Sequence, residues 1–363
     1  MNGARTILFC FGAVVATAFA AAGCGGGGSG PAPVAISSPP LATPTPPANL
    51  LYVDHNGILY QYALPLSKTS KPQKVLNEAP GSALVPKLAV NPYGTFAVAS
   101  TTTLRIFNPP IVSFAPTHAK VSIPLTPAIT QVGSNGATLT DVEYDPNGNL
   151  WLVNILGEIS ELEAPISRNT QSASLTIPFG APGTKTAGFT PEHASFDINA
   201  TLYVFGGSSG QQIQDRLFKT SFPYAKQPSS TGLNLDFADF VDSSQYLPTN
   251  PNPVPVILGQ YYGPLKSPPP GSPPPPPVTG LAQFAQPLNP VQGFFPDATV
   301  NTIVSALAAD PPRNLFYTLD QATGRLDAYA LPLSPQAKPS LSLPCLAGAS
   351  RCNNQPEHLF MAP

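Results

Sequence analysis

Apolar residues along this chain occur in short clusters that are separated by Gly, Pro, Asn and Asp. The segment 145–153 shows the pattern, because Asp-Pro-Asn-Gly-Asn is followed by Leu-Trp-Leu-Val. Such a segment indicates a tight turn that leads into an apolar strand. The segments 91–98, 197–205 and 310–318 repeat the arrangement. The chain is therefore predicted to consist of many short strands joined by turns.

An internal repeat organises these strands. Tyr-Ala-Leu-Pro-Leu-Ser at 62–67 recurs letter for letter at 329–334, and looser copies surround four further prolines, Pro110, Pro165, Pro223 and Pro287. Leu or Ile stands six residues before each proline. The prolines are 45 to 64 residues apart, and the residues around each one fit four short strands. Four-stranded units at this period are typical of β-propellers, with the proline at the turn into the outermost strand.

The two ends of the repeat region predict how the ring closes. The first unit begins at Leu50 without a strand before it, and the last residues, 357–361, have no unit after them. Pro-Glu-His at 356–358 repeats Pro-Glu-His at 191–193, which opens the innermost strand of the fourth unit. The predicted fold is therefore an all-β, six-bladed propeller over residues 49–363 whose C-terminal strand completes the first blade and removes exposed edges.

The first 48 residues predict an exported protein with a tether. Arg5 precedes an apolar stretch that ends in Ala-Ala-Gly-Cys at 21–24. This ending resembles the bacterial lipobox, which implies a signal peptide over 1–23 and a diacylglycerol on Cys24; the alternative is an ordinary signal peptide cut nearby. Residues 24–48 are rich in Gly and Pro, and this composition predicts a disordered tether that spans roughly 70 Å when extended. We expect a membrane-anchored location in the cell envelope, on the outer membrane or the outer leaflet of the cytoplasmic membrane.

Charge and cysteine usage narrow the function. The formal net charge is −2, and no long basic run is present, so binding to nucleic acid is not expected. Cys10 would leave with the signal peptide, and Cys345 and Cys352 then form an even pair in an oxidising compartment, which predicts a structural disulfide. The proline-rich stretch 267–277 is interpreted as a stiff loop insertion in the fifth unit, with a polyproline ligand as the alternative.

The blade motifs carry a family resemblance. Asp-Pro-Asn-Gly-Asn-Leu-Trp at 145–151, followed by Gly-Glu-Ile at 157–159, resembles the blades of NHL-type propellers and is similar to streptogramin-lyase and SMP-30-like propellers. The metal-dependent branch of that family implies a divalent ion, Ca or Zn, held by a glutamate at the start of an inner strand. Glu192 is the best match and Glu357 the second. The matched positions of other units carry Lys87, Asp141 and Ala306.

The two Glu-His pairs are the candidate ligand-binding groups. If the inner strands begin at one mouth of the channel, blades four and one bring these pairs to opposite sides of it. The candidate residues are Glu192, His193, Glu357, His358 and Asp141. A carboxylate and an imidazole on each side could bind a ligand, whereas the alternative is that they hydrogen-bond to neighbouring blade turns. His55 and His118 fall in predicted loops without partners.

Two function classes follow. The first is a lipid-anchored, monomeric propeller without enzymatic activity, which binds an envelope protein or polysaccharide; no cofactor and no catalytic residue are predicted for it. The second is a metal-dependent lactonase-like or lyase-like hydrolase that uses the channel mouth. The sequence favours the first, because it contains no H-E-x-x-H and no Walker-type G-x-x-x-x-G-K-[ST] motif.

Overall fold

The structure is a computed structural model that describes most of the repeat region. The described residues are 49–55, 57–77, 87–91, 93–131, 139–179, 188–196, 200–208, 215–221, 224, 229–235, 241–247, 254–263, 278–285, 298–300, 304–320, 322–331, 333–334, 336–345 and 358–362. The predicted signal peptide, the tether with Cys24 and the 267–277 insertion lie outside them. No helix within the described ranges has the length and apolar character needed to cross a membrane.

The described strands form six four-stranded antiparallel sheets. The first three sheets, each given from its innermost to its outermost strand, are β24 (Leu359–Ala362), β1 (Leu50–His55), β2 (Ile58–Ala63) and β3 (Lys74–Asn77); β4 (Lys87–Val90), β5 (Phe96–Ala99), β6 (Thr103–Phe107) and β7 (Val121–Pro124); and β8 (Leu139–Tyr144), β9 (Leu150–Asn154), β10 (Glu158–Leu162) and β11 (Leu175–Pro178).

The remaining sheets repeat this order. They are β12 (Phe189–Phe196), β13 (Leu202–Ser208), β14 (Asp215–Thr220) and β15 (Ser229–Leu235); β16 (Val241–Leu247), β17 (Val254–Gly263), β18 (Val278–Ala285) and β19 (Ala298–Val300); and β20 (Val304–Asp310), β21 (Leu315–Asp320), β22 (Leu326–Ala330) and β23 (Leu341–Leu343). Two 3-10 helices, Pro116–His118 and Pro311–Arg313, lie in the connections.

The sheets are arranged as a ring that the C-terminal strand closes. Each innermost strand contacts that of the next sheet, in the order β24, β4, β8, β12, β16 and β20, and β20 contacts β24 again. Strand β24 pairs with β1 from Leu50–Ala362 to Val53–Leu359. The prediction of an all-β propeller of four-stranded blades, with the C-terminal strand completing the first blade, is confirmed.

The core lies between adjacent sheets, because the sheets whose side chains are described bury apolar residues on both faces. One cluster joins the first and second sheets, where the Phe96 ring lies 4.9 Å from that of Tyr52 and 6.2 Å from that of Phe360. Another joins the third and fourth sheets, where Trp151 is fully buried and its ring lies 5.4 Å from Phe196 and 4.8 Å from Tyr224. Trp151 therefore packs between the two sheets.

The turns follow the predicted chemistry. The Asp145 carboxylate accepts hydrogen bonds from the backbone amides of Asn147 and Asn149, each at 2.9 Å, and Gly148 has a φ of 86° that suits glycine. Asn91 accepts two equivalent bonds in the second sheet. Three of the repeated prolines, Pro65, Pro110 and Pro165, lie between the third and fourth strands of their sheets, as predicted, and follow cis peptide bonds.

The pairing of β24 with β1 defines two faces of the ring. Leu50 lies beside Ala362 at one end of these strands, and Asp54 lies beside His358 at the other. We call the first end the N-terminal face, because the backbone of Asn49 bonds there to Ala362 and Leu64. We call the second end, at which the innermost strands begin, the mouth face. The turns between third and fourth strands lie on the N-terminal face, since Ala63 at the end of β2 pairs with Leu50.

Candidate functional site

One register position recurs at the mouth face of the innermost strands. In the sheets of β4, β8, β12 and β20 it is defined by the pairs Lys87–Ala99, Asp141–Val153, His193–Phe205 and Ala306–Leu319. In the first sheet His358 occupies it, because its carbonyl accepts the Asp54 amide at 2.9 Å. In the sheet of β16 the corresponding residue lies outside the described ones. The position thus carries four ionisable side chains, from Lys87, Asp141, His193 and His358.

This register corrects the alignment expected from the sequence. Glu192 was expected to match Lys87, Asp141 and Ala306, but it lies in a β-bulge between Pro191 and His193. The pairing from Phe196–Leu202 to His193–Phe205 is uninterrupted, as it is from Tyr144–Leu150 to Asp141–Val153, so His193 takes the equivalent position and Glu192 lies beyond it in the bulge. Strand β12 also begins at Phe189 and therefore extends beyond the predicted start at Pro191. The strand β8 has an irregularity at the same level, between Leu139 and Asp141.

Asp141 and His193 join the third and fourth sheets at the mouth face. His193 Nδ1 lies 3.7 Å from Asp141 Oδ2, which also accepts the backbone amide of Ala194 at 2.9 Å. Burial alone would raise the pKa of the Asp141 carboxyl. The hydrogen bond and charge of His193, the amide of Ala194 and the charge of Lys87 outweigh burial and lower that pKa below its usual value. Asp141 is therefore an anion held between two basic side chains.

His358 and Asp54 form a second imidazole–carboxylate pair within the first sheet. His358 Nδ1 lies 3.0 Å from Asp54 Oδ2, and the Asp54 side chain is completely buried. The other carboxylate oxygen accepts the Gly57 amide at 3.0 Å, so the turn after β1 orients this carboxylate. Asp54 was not among the candidates, because a lone Asp before His-Asn-Gly reads as an ordinary turn residue. Only its position opposite His358 distinguishes it.

Aromatic rings hold both imidazoles in place. The His193 ring stacks on Phe205 with an interplanar angle of 17°, and the His358 ring stacks on Phe360 at 15°. The side chains of His193 and His358 remain 28% and 19% exposed. Each imidazole is thus oriented by a carboxylate and a ring while part of it reaches solvent. Such groups can donate and accept hydrogen bonds with a polar ligand.

The other sequence candidates have mixed outcomes. Glu357 and Cys352 lie outside the described residues, whereas Cys345 is described and follows strand β23. The ligand-binding role of Glu357 and the disulfide between Cys345 and Cys352 therefore stay predictions. The expectation for His55 is wrong, because His55 ends strand β1, is buried and packs 5.6 Å from the Tyr60 ring. His118 is exposed in a 3-10 helix, and its Nδ1 lies 3.5 Å from Thr117 Oγ1.

The divalent ion that the family resemblance implies would need several donor side chains close together at the mouth. Within the described ranges, no group of three or more His, Cys, Asp and Glu side chains is placed to hold a metal ion. Glu192, the predicted first ligand, lies in the bulge, while one imidazole–carboxylate pair lies in the first sheet and the other joins the third and fourth sheets. The described donors therefore do not fit the divalent ion that the family resemblance implies.

The fold and this site define the class of protein: a β-propeller of four-stranded blades with ionisable side chains at one mouth. No family model matches the chain, and no curated protein matches it. Among solved structures, the chain is similar to the hydrazine synthase of Kuenenia stuttgartiensis, with 11% identity, a TM-score of 0.49, and coverage of 82% of this chain and 80% of that one. It is also similar to the Dos1 propeller, with 15% identity, a TM-score of 0.41, and coverage of 71% and 60%.

At these scores, the two likenesses carry no argument about function. The resemblance of the blade motifs to NHL-type and SMP-30-like propellers gains no support from a family model and stays a hypothesis.

Proposed function

We propose that this protein is a lipid-anchored, six-bladed propeller of the cell envelope whose mouth face binds an envelope protein or polysaccharide. The observation that carries the proposal is the row of oriented side chains at the mouth. Lys87, Asp141 and His193 come from three consecutive sheets, and His358 comes from the sheet on the other side of Lys87.

The chemistry of the row suits a polar ligand. It combines an ammonium group, a carboxylate and two partly exposed imidazoles, which together donate and accept hydrogen bonds. A closed ring of sheets also holds these groups without a change of backbone on binding, so little conformational entropy is lost.

The position of Asn49 supports an accessible mouth. The backbone of Asn49 bonds to Ala362 and Leu64 on the N-terminal face, so the chain enters the ring at the end opposite the mouth. The point of entry therefore does not occupy the mouth. A partner in the envelope could then reach the mouth without displacing the anchor.

The test is binding by a mouth variant. We expect Asp141→Asn combined with His193→Gln to weaken binding to the cognate envelope fraction at least tenfold, since a polar site loses about 1–3 kcal/mol per unpaired buried group. The probes are purified peptidoglycan, extracted envelope polysaccharide and solubilised envelope protein, each tested separately by pull-down.

The matched control is His118→Gln, which changes an exposed histidine on the N-terminal face. It is expected to bind as the wild type does. Equal binding by wild type and mouth variant to every fraction, at unchanged thermal stability, would overturn the assignment of the mouth as the binding site.

The metal-dependent hydrolase was the alternative from the sequence. None of the observations on the described residues favours it, so we do not propose it as a second function.

A further inference from the structure

Basic side chains are concentrated on the N-terminal face. The turns between third and fourth strands of the first, second, third and sixth sheets contain five basic residues, Lys68, Lys71, Lys120, Arg168 and Lys338, all exposed. The same turns contain one acidic residue, Glu163. The four sheets are consecutive around the ring, so the five residues form one arc, which we call the basic rim.

The repeat builds the basic rim from equivalent turns. In the first sheet the Ser67 amide donates to Ser70 Oγ at 2.8 Å, and in the third the Ser167 amide donates to Thr170 Oγ1 at 3.1 Å. The residue after the first serine of each turn is Lys68 or Arg168, so both occupy the same place at the tip.

The sixth sheet contributes the same turn. The Ala337 amide donates to the Ser334 carbonyl at 2.9 Å, as the Ser70 amide does to Ser67 at 3.0 Å. Lys338 and Lys71 each follow directly, and therefore lie at equivalent places. Lys74 Nζ, at the start of β3 in the first sheet, donates to the Ile111 carbonyl in the turn of the second sheet.

The mouth face has a different balance. Among the described residues there, Lys87 and Arg325 accompany five carboxylates, of which Asp54, Glu158 and Asp320 are buried while Asp141 and Glu192 are partly exposed. The N-terminal face also contains the carboxylates of Asp145 and Asp310, but both are buried. Exposed positive charge is thus concentrated on the basic rim in a chain whose net charge is only −2, and a negatively charged surface is attracted to it.

We propose that the basic rim docks on an anionic lipid surface, with the propeller lying on its N-terminal face. This proposal rests on the lipid anchor of the proposed function, because the tether joins the ring at that same face. A single lipid attachment combined with a basic patch holds a protein at a membrane far better than either feature alone. The docked ring presents the mouth to the solvent.

The experiment measures binding to vesicles without the lipid anchor. The processed chain, residues 24–363 with Cys24→Ser, is sedimented with vesicles of phosphatidylcholine or of phosphatidylcholine mixed with phosphatidylglycerol. We expect binding only to the anionic vesicles, and at least a tenfold loss of it when salt rises from about 0.05 M to about 0.5 M.

Three variants of this chain test the basic rim. Replacing Lys68, Lys71, Arg168 and Lys338 by Gln is expected to weaken binding at least tenfold, since each basic residue near an anionic surface contributes about fivefold. Replacing the three lysines of this set by Arg keeps the charge and should keep the binding. Glu163→Gln removes the acidic residue of the rim and should strengthen the binding.

Two outcomes would overturn the proposal. One is equal binding by the wild-type processed chain and the Gln variant, at unchanged thermal stability. The other is binding to an acidic polysaccharide but not to anionic vesicles. Either would leave the proposed function intact, because lipid attachment at Cys24 and binding at the mouth are measured separately.

Discussion

At the scale of single residues, a carboxyl pair in the third sheet links stability to pH. The Asn149 side-chain amide donates to both Asp145 Oδ2 and Glu161 Oε1 at 2.9 Å, and Ser174 donates to Glu161 Oε2 at 3.3 Å. Burial, the charge of Asp145 and that of Glu163 raise the pKa of Glu161 to about 7, although the two hydrogen bonds oppose them. Glu161 is therefore a group that titrates near neutrality in a structural position.

The raised pKa sets the direction of the pH dependence. The folded chain binds a proton at Glu161 that the unfolded chain releases above pH 4.5, so stability is lost as pH rises from about 4.5 to about 7. Since Glu161 is partly exposed, we expect Glu161→Gln to stabilise the fold at pH 8 by only about 1 kcal/mol.

Urea unfolding at pH 5 and pH 8 measures this effect. At pH 5 the Gln variant should match the wild type, and Glu163→Gln, at an exposed position, should change stability much less at either pH. The wild type should lose more unfolding free energy between pH 5 and pH 8 than Glu161→Gln does. Equal losses in the two proteins would contradict the role assigned to Glu161.

At the scale of elements, the closing strand determines whether the ring is complete. Strand β24 pairs with β1, packs the buried Leu359 and Ala362, and follows the His358–Asp54 pair. A chain that ends at residue 355 loses these contacts and exposes the edge of β1. We expect the free energy of unfolding to fall by more than about 4 kcal/mol, from lost apolar burial and lost hydrogen bonds.

The exposed edge should also promote association, which size-exclusion chromatography measures alongside urea unfolding. A synthetic peptide of residues 356–363 should restore stability, whereas the same peptide with Leu359→Asp should not. Wild-type stability in the shortened chain would show that β24 does not close the ring.

At the scale of the whole molecule, the proposed lipid anchor at Cys24 can be tested by labelling. Wild-type protein expressed with its leader should incorporate labelled palmitate and fractionate with membranes, because Cys24 is predicted to carry the lipid. Cys24→Ser should lose the label, while Ser29→Ala in the same segment should keep it. An unlabelled wild type in the soluble fraction would instead favour an ordinary signal peptide.

Much of the architecture could be predicted from the sequence because it depends on local chemistry. The Asp-Pro-Asn-Gly turn at 145–148, the repeated prolines and the apolar clusters each act over a few residues, and their recurrence predicts four-stranded units. The Pro-Glu-His repeat at 191–193 and 356–358 also predicted the closing strand. Two of the five candidate ligand residues, His193 and Asp141, were brought into contact by the fold.

The sequence by itself therefore determined the strands, their grouping into four-stranded units and the closure of the ring, because turn residues and alternating burial leave their pattern in neighbouring positions. Only the tertiary structure decided which side chains meet at the mouth. The packing of the third sheet on the fourth brought His193 to Asp141 while Glu192 lies in a bulge, and ring closure brought His358 to Asp54, 304 residues away. Neither contact leaves a pattern in the neighbouring sequence, because both depend on how distant strands pair and pack.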